Sequence, residues 1–221
     1  MNFKNNYWYF TKALPDHFCD KLVKFGSSKK EQVGITGGLQ RDAQKSKHSQ
    51  VVHKEEDLKE EDLLNLKKRR DSNIVWLSEK WLYRYLHHYV RVANHNSGWN
   101  FEWSYSEAAQ FTKYKLNQFY DWHCDSWKEP YGDKEGPDLK GKVRKLSMTC
   151  SLSDPKDYKG GEFEFKLNDD SSGDTYTQIC KEVQPKGSIV IFPSDTYHRV
   201  KPVTQGIRHS LVLWTCGNPW K

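Results

Sequence analysis

One stretch goes far towards deciding how this sequence folds: Ile189-Val190-Ile191-Phe192-Pro193-Ser194-Asp195-Thr196-Tyr197-His198-Arg199-Val200. Its apolar first half predicts a buried strand, and the polar residues after Pro193 predict a turn. A second extended segment then carries His198 back towards the rest of the sheet. The stretch therefore predicts a β-rich fold in which a histidine is brought against residues from another strand.

The residues that His198 could meet lie in the segment Tyr120-Asp121-Trp122-His123-Cys124-Asp125. His123 and Asp125 are two positions apart, so on an extended strand both side chains point to the same face. Two imidazoles and one carboxylate on one face of an octahedral ion leave three adjacent positions free. That arrangement suits Fe(II) that must bind a bidentate co-substrate and then O₂. We predict an iron site at His123, Asp125 and His198.

A buried cation is predicted ten residues beyond His198, where Arg208 opens the strand Arg208–Trp214. Alternation places Arg208, Ser210, Val212 and Trp214 on one face of that strand. An inward-facing arginine is destabilising unless it meets an anion, and its planar fork matches a carboxylate. We expect the distal carboxylate of a dicarboxylic acid to be its partner.

From Gly98 onward, short runs rich in aromatic and β-branched residues alternate with Gly, Pro, Asn and Asp. Short strands at this spacing indicate a sandwich or jelly roll. The predicted strands are Asn100–Tyr105, Ala109–Tyr114, Phe119–Trp122, Leu146–Leu152, Glu162–Phe165, Gln178–Val183, Ser188–Phe192 and Ser210–Thr215.

The first 97 residues are predicted to be mostly helical. One helix begins at Asp16 and ends at Gly26-Ser27-Ser28, and a charged helix spans about Glu56 to Arg69. Ser78 is predicted to cap the strongest helix, which should pack against a sheet. The apolar stripe of that helix consists of Leu82, Leu86, Tyr89 and Ala93.

Composition limits the class of protein. With 221 residues the chain fits a single domain, 1–221, which we divide into a support region 1–97 and a core 98–221. It has no run of about 20 apolar residues and no apolar N-terminal signal segment, so we expect a cytoplasmic protein without a membrane span. Five dispersed cysteines favour reduced thiols over a disulfide framework. The net charge of +6 is interleaved with acids and is typical of a solvated surface.

The ordered set of motifs resembles the prolyl 4-hydroxylase-like branch of the Fe(II)/2-oxoglutarate-dependent dioxygenases. The resemblance covers about half of the chain, from Phe111 to Trp214. It rests on Tyr114-x-x-x-Gln118-x-Tyr120-x-x-His123-x-Asp125, Leu146-Ser147-x-Thr149, Leu152-Ser153, Gly160-Gly161-Glu162-Phe163, His198-Arg199-Val200 and Arg208. These motifs are specific jointly, whereas none of them is specific alone.

The resemblance implies an α+β fold whose core is a double-stranded β-helix, a jelly-roll or cupin-like structure, with flanking N-terminal helices. It implies iron on the predicted triad, 2-oxoglutarate on Arg208, and O₂ as oxidant, with the need for ascorbate left open. Two positions depart from the family: collagen-type members usually carry Lys at Arg208, and Cys150 replaces a Tyr, leaving Thr149 as a candidate carboxylate partner. Further roles near the co-substrate are implied for Tyr114, Tyr120, Ser210 and Trp214.

The implied reaction couples decarboxylation of 2-oxoglutarate to hydroxylation of a C–H bond, and the resemblance favours a prolyl residue in a protein or peptide. A free amino acid or another small molecule is the alternative substrate. Nucleic acid is not expected, because dealkylating relatives carry a second arginine where this chain has Trp214.

The rival classes are a metal-binding jelly roll without oxygenase activity and a zinc hydrolase. Arg208 counts against the hydrolase, which needs no inward cation there. Oligomeric state is left open.

Two long polar segments are candidates for a lid over the primary substrate. The first, Gly34–His53, is rich in Gly, Gln, Ser and Lys, and the second, Ser126–Arg144, contains Gly132, Gly136 and Gly141. Loops of this length in a compact domain are commonly functional. We hypothesise that both close over the substrate and exclude water.

Overall fold

The computed structural model describes residues 5–35, 59–127, 129–169 and 172–220. Within these ranges the helices are α1 (Asp16–Ser27), α2 (Glu60–Lys67) and α3 (Lys80–Asn96), and short 3₁₀ helices lie at Asp133–Glu135 and Lys181–Val183. The strands are β1 (Trp8–Phe10), β2 (Gln32–Val33), β3 (Arg70–Asp71), β4 (Asn73–Leu77), β5 (Tyr105–Ser106), β6 (Ala109–Tyr114), β7 (Phe119–His123), β8 (Val143–Ser151), β9 (Tyr158–Gly160), β10 (Phe163–Asn168), β11 (Thr175–Ile179), β12 (Ile189–Pro193), β13 (Tyr197–Val200), β14 (Val203–Gly206) and β15 (Arg208–Gly217).

These strands form two facing sheets and a small ribbon. The larger sheet has the order β1-β12-β8-β15-β6-β4-β2, with β5 added at β15, and the smaller has the order β11-β10-β13-β7-β3. The ribbon pairs β14 with β9. Apolar side chains from both sheets, including Phe165, Phe192 and Val200, pack together between them. The fold is the predicted α+β double-stranded β-helix.

Helices α1 and α3 cover the outer face of the larger sheet. Leu82, Leu86 and Ala93 of α3 are buried in one cluster with Leu211 and Leu213 of β15. Burial of each such leucine contributes roughly 1.5–3 kcal/mol relative to exposure. The predicted stripe of α3 is therefore confirmed at three positions. Its fourth member, Tyr89, is only partly buried, and Val90 fills the core position instead.

Most of the predicted strands are present. β6 has the predicted bounds Ala109–Tyr114, and β7, β8, β10, β12 and β15 overlap their predictions with shifted ends. The predicted strand Asn100–Tyr105 was wrong, because only Tyr105 belongs to a strand. Instead, the Asn94 side chain donates to the Phe101 carbonyl and accepts from the Phe101 N–H, each at 2.9 Å. The Asn94 side chain thus makes the backbone hydrogen bonds at Phe101 that a neighbouring strand was expected to make.

Other boundaries also differ. Helix α1 is confirmed from Asp16, but Ser78 does not cap α3, which begins at Lys80 without a side-chain cap. The charged helix is shorter than predicted, and its expected start at Glu56 lies outside the described residues. The predicted strand Gln178–Val183 ends at Ile179, and residues 181–183 form a 3₁₀ turn.

The N-terminal part supplies strands as well as helices. β1 pairs with β12, β4 pairs with β6, and β3 pairs with β7, so this part extends both facing sheets. The division into a support region 1–97 and a core 98–221 stays a prediction. Among the helices of the described ranges, none is long and apolar enough to cross a membrane.

Candidate active site

The three predicted metal ligands meet between two paired strands. His123 ends β7 and lies directly opposite His198 in β13, while Asp125 follows two residues after His123. Possible ligand atoms of the three residues all lie within 4.8 Å of one another. The His198 Nε2 atom is 3.5 Å from Asp125 Oδ2, and His123 Nε2 is 3.8 Å from Asp125 Oδ1. Two imidazoles and one carboxylate in this arrangement fit a ferrous ion.

Backbone carbonyls orient both histidine rings. His123 Nδ1 lies 2.7 Å from the Asp121 carbonyl oxygen, and His198 Nδ1 lies 2.9 Å from that of Thr196. A carbonyl only accepts, so each Nδ1 carries the proton and each Nε2 keeps its lone pair for a metal. Burial and the neighbouring His198 also hold the pKa of His123 well below its ordinary value. Near neutral pH, His123 is therefore uncharged.

The Asp125 carboxylate remains ionised although it is only 7% exposed. Burial alone would raise its pKa, but His198, His123 and Arg144 lower that pKa to about 2. A carboxylate with this pKa needs no deprotonation to bind a cation at neutral pH. The triad therefore offers one carboxylate and two imidazole Nε2 atoms to a cation.

Arg208 lies on the inner face of the larger sheet, where it is 2% exposed. It pairs in register with Tyr114, whose ring centre is 5.5 Å from the guanidinium carbon. Its Nη1 atom is buried and has no hydrogen-bond partner among the described residues. A buried guanidinium nitrogen without a partner is destabilising, so this end of the site fits an anionic ligand.

A second buried donor near Arg208 was missed in the sequence. Ser151 lies opposite Ser210 on β15, and its hydroxyl oxygen also lacks a partner within the described part of the chain. Thr149, the candidate carboxylate partner from the sequence, lies two residues away on the same face of β8. Alternation from Thr149 was the available signal for Ser151. Arg208 and Ser151 together fit the distal carboxylate of 2-oxoglutarate.

Of the remaining predicted residues, Tyr114, Ser210 and Trp214 are buried on the inner face of the larger sheet. Tyr120 stacks on His123 with ring centres 3.4 Å apart and an interplanar angle of 11°. Burial raises the pKa of Tyr120 to about 12, so its phenol stays protonated. All predicted site residues therefore lie in one region around the triad and Arg208.

Arg70 is a further residue that the sequence did not identify. Its guanidinium carbon lies 4.5 Å from the centre of the Tyr120 ring, on which it stacks. It is 4% exposed, donates from Nε to the Ser72 hydroxyl at 2.8 Å, and leaves Nη2 without a partner among the described residues. No signal marked it, because it ends the basic run Lys67-Lys68-Arg69-Arg70.

A cavity of about 700 Å³ opens beside Asp125. Its aromatic walls are Trp76, Tyr120, Trp127, Tyr131 and Trp214, and Arg70 and Gln110 also line it. The second polar segment, predicted as a lid, contributes residues from Trp127 to Leu139 to the rim. The described part of this segment is thus placed where a primary substrate would reach the metal.

A partly buried ion pair connects this segment to the metal site. Glu107 accepts two hydrogen bonds from Arg144, both at 2.6 Å, and a third from the Tyr131 hydroxyl at 2.6 Å. The Arg144 guanidinium carbon lies 3.9 Å from the centre of the Trp214 ring, and Nη1 reaches the Asp125 carbonyl at 3.4 Å. Neither Glu107 nor Arg144 had a signal in the sequence.

Known proteins match this architecture. Residues 109–216 match the model of the 2OG-Fe(II) oxygenase superfamily, in which 2OG is 2-oxoglutarate. This match covers just under half of the chain, and the chain is similar to the superfamily over that range. A PKHD-type hydroxylase of Pseudomonas fluorescens is 35% identical over 104 residues, which cover 46% of this chain and 40% of that protein. The chain therefore spans less than half the length of the curated relatives that it matches.

Solved structures agree with the fold. The viral collagen prolyl hydroxylase of Paramecium bursaria Chlorella virus-1 is 15% identical with a TM-score of 0.58, covering 97% of each chain. A Trichoplax adhaerens prolyl hydroxylase, solved with a hypoxia-inducible-factor peptide, is 13% identical with a TM-score of 0.58 and covers 96% of this chain and 84% of that one. The superfamily uses Fe(II), 2-oxoglutarate and O₂, and His123, Asp125 and His198 form a group in this chain that could bind the iron.

Proposed function

We propose that this protein is an Fe(II)- and 2-oxoglutarate-dependent dioxygenase that hydroxylates a C–H bond of a prolyl residue in a protein or peptide. One observation carries the proposal: the ligand atoms of His123, Asp125 and His198 lie within 4.8 Å of one another between two paired strands. When bound, iron and 2-oxoglutarate supply the chemistry, in which O₂ converts 2-oxoglutarate to succinate and CO₂ and delivers one oxygen atom to the substrate.

The protein's own part begins with ligand placement. The triad would hold the iron, and Arg208 with Ser151 would bind the far carboxylate of 2-oxoglutarate, because both keep a buried donor without a partner in the described ranges. Tyr114 and Ser210 line the same end and Trp214 lies towards the substrate cavity. Tyr120 would fix the His123 ring by stacking on it.

The shape of the cavity supports a substrate that enters from solvent. Trp76, at its wall, is 43% exposed, and a cavity of about 700 Å³ has the size of sites that take drug-sized ligands. Flat indole faces suit the ring of a prolyl residue, while Arg70 and Gln110 offer donors for backbone carbonyls of a peptide. The named prolyl hydroxylase structures support the same choice.

The test is succinate release with Fe(II), 2-oxoglutarate and a panel of proline-containing peptides. A hydroxylated peptide should gain about 16 Da, one oxygen atom, only when 2-oxoglutarate is present. His123→Ala should abolish both products, and zinc should not replace iron. Activity that survives His123→Ala, or that appears equally with zinc, would contradict the proposal.

A free amino acid is the second candidate substrate, and Arg70 is the observation that favours it. Arg70 lines the cavity, and its partnerless Nη2 could donate to the carboxylate of a free amino acid. Free L-proline and an N- and C-terminally blocked prolyl peptide should be compared at equal concentration. Turnover of free proline that is lost in Arg70→Met would support this candidate, and turnover of the blocked peptide alone would eliminate it.

A further inference from the structure

Two consecutive glycines, Gly160 and Gly161, connect β9 to β10 beside the buried Arg208. Both have a left-handed backbone, with φ of +74° and +66°, which residues with a Cβ atom rarely adopt. Gly160 lies under the ribbon strand β14, where a Cβ atom would be 2.3 Å from the Pro202 carbonyl oxygen. Gly160 therefore serves the ribbon itself, whereas the surroundings of Gly161 are different.

A Cβ atom on Gly161 would meet the side chain of Arg208. It would lie 2.8 Å from Arg208 Cδ and 3.1 Å from Val203 Cγ2, both closer than normal contact. The Arg208 side chain cannot retreat to solvent, because Arg208 is 2% exposed and Val203 beneath it is fully buried. A displaced guanidinium would have to move within the interior, where its donors face the proposed co-substrate.

We propose that Gly161 is a positioning residue that sets how far the Arg208 guanidinium reaches towards the metal triad. Because Gly161 has no side chain, the aliphatic part of Arg208 can lie against this turn. The position of the turn thereby fixes the distance between the guanidinium and the metal triad, which a dicarboxylic acid must span. Gly161 would thereby select the five-carbon 2-oxoglutarate over a shorter 2-oxo diacid. This inference rests on the proposed function of Arg208.

The test is a calorimetric titration of 2-oxoglutarate into Fe(II)-loaded protein without oxygen, with Fe(II) affinity measured separately. Gly161→Ala should weaken 2-oxoglutarate binding about tenfold, because overpacking a buried site has an effect of this order. The matched control is Gly173→Ala, since Gly173 has φ of +76° and no atom within 4 Å of the added Cβ. The control should stay within about twofold, and Fe(II) affinity should stay unchanged in both variants.

Ligand length gives a second readout that a purely structural role would not change. 2-Oxosuccinate has one methylene fewer, so Gly161→Ala should weaken its binding less than that of 2-oxoglutarate. Adding Val203→Ala should restore affinity, because the methyl group introduced by Gly161→Ala could then move away from Arg208. If Gly161→Ala does not fold, Gly161→Asn carries the same Cβ in a residue type that tolerates this backbone better.

The outcomes distinguish the proposed function from the positioning role of Gly161. If wild type does not bind 2-oxoglutarate, or Arg208→Met binds it equally well, the proposed function is wrong. If Arg208→Met loses binding while Gly161→Ala behaves like Gly173→Ala, or weakens both diacids equally, the inference about Gly161 is overturned. Unfolding of both Gly161 variants would also overturn it, because the position would then be needed for folding itself.

Discussion

The proposed co-substrate end and the proposed substrate end of the site are built differently. At the co-substrate end, Arg208 and Ser151 come from the long neighbouring strands β15 and β8 and are almost completely buried. At the substrate end, the walls come from a loop and from separate strands, and Trp76 is 43% exposed. Regular strands hold a few hydrogen-bond donors at fixed positions, and fixed donors favour the binding of one small dicarboxylic acid. A loop-walled cavity can accommodate a larger and more variable partner.

The metal triad lies between these two ends and should give the largest effect. Asp125→Ala removes the charged ligand, so we expect Fe(II) content and succinate release to fall by at least about 100-fold, more than the loss typical of supporting residues. Metal content and turnover measure this. The control is Asp121→Asn, because the Asp121 side chain is exposed and only its backbone carbonyl contacts His123. Equal loss in both variants would contradict the assignment.

Arg208→Met should distinguish 2-oxoglutarate binding from Fe(II) binding. Loss of one partner of a buried charge pair weakens the binding free energy by about 2–5 kcal/mol, so 2-oxoglutarate affinity should fall at least about 30-fold. Fe(II) affinity should be retained. Arg199→Met is the matched control, because Arg199 pairs with Glu164 at 2.7 Å and lies one residue from His198, on the opposite face of β13. Anaerobic calorimetry with 2-oxoglutarate measures both variants.

The loop should matter for the primary substrate alone. Tyr131→Phe removes one hydrogen bond to the Glu107 carboxylate, so we expect KM for the peptide to rise about tenfold, with 2-oxoglutarate affinity unchanged. Deleting residues 133–140 should raise succinate release that is not coupled to hydroxylation. Unchanged kinetics in both variants would remove the lid hypothesis for this segment. The other predicted lid, Gly34–His53, lies mostly outside the described residues.

The smallest effect concerns the thiols. Burial raises the pKa of Cys19 to about 11 and that of Cys180 to about 12, and it also raises the pKa values of Cys150 and Cys216. At pH 8 these groups are protonated, and the thiol is a poor nucleophile compared with the thiolate. Iodoacetamide followed by mass spectrometry should modify the partly exposed Cys124 first. In urea all five should react alike, and equal rates in the folded protein would contradict the burial.

The strand pattern shows which parts of the fold were predictable. The bounds of β6 follow from local alternation, because burial on one face imposes a period of two. The predicted strand at Asn100 was wrong because the Asn94 side chain, from the end of α3, bonds the backbone of Phe101. No local pattern reports a side chain that takes the place of a strand.

For the site, the sequence by itself determined the residues whose spacing constrains their chemistry. His123 and Asp125 share a short segment, and Arg208 has no reason to face inward without an anion. The tertiary structure alone decided the roles of Ser151, Arg70, Glu107 and Arg144. Glu107 and Arg144 are 37 positions apart, and each resembles an ordinary surface charge until the fold brings them together in a partly buried pair. Such roles arise from burial and contact between distant strands, which spacing along the chain does not encode.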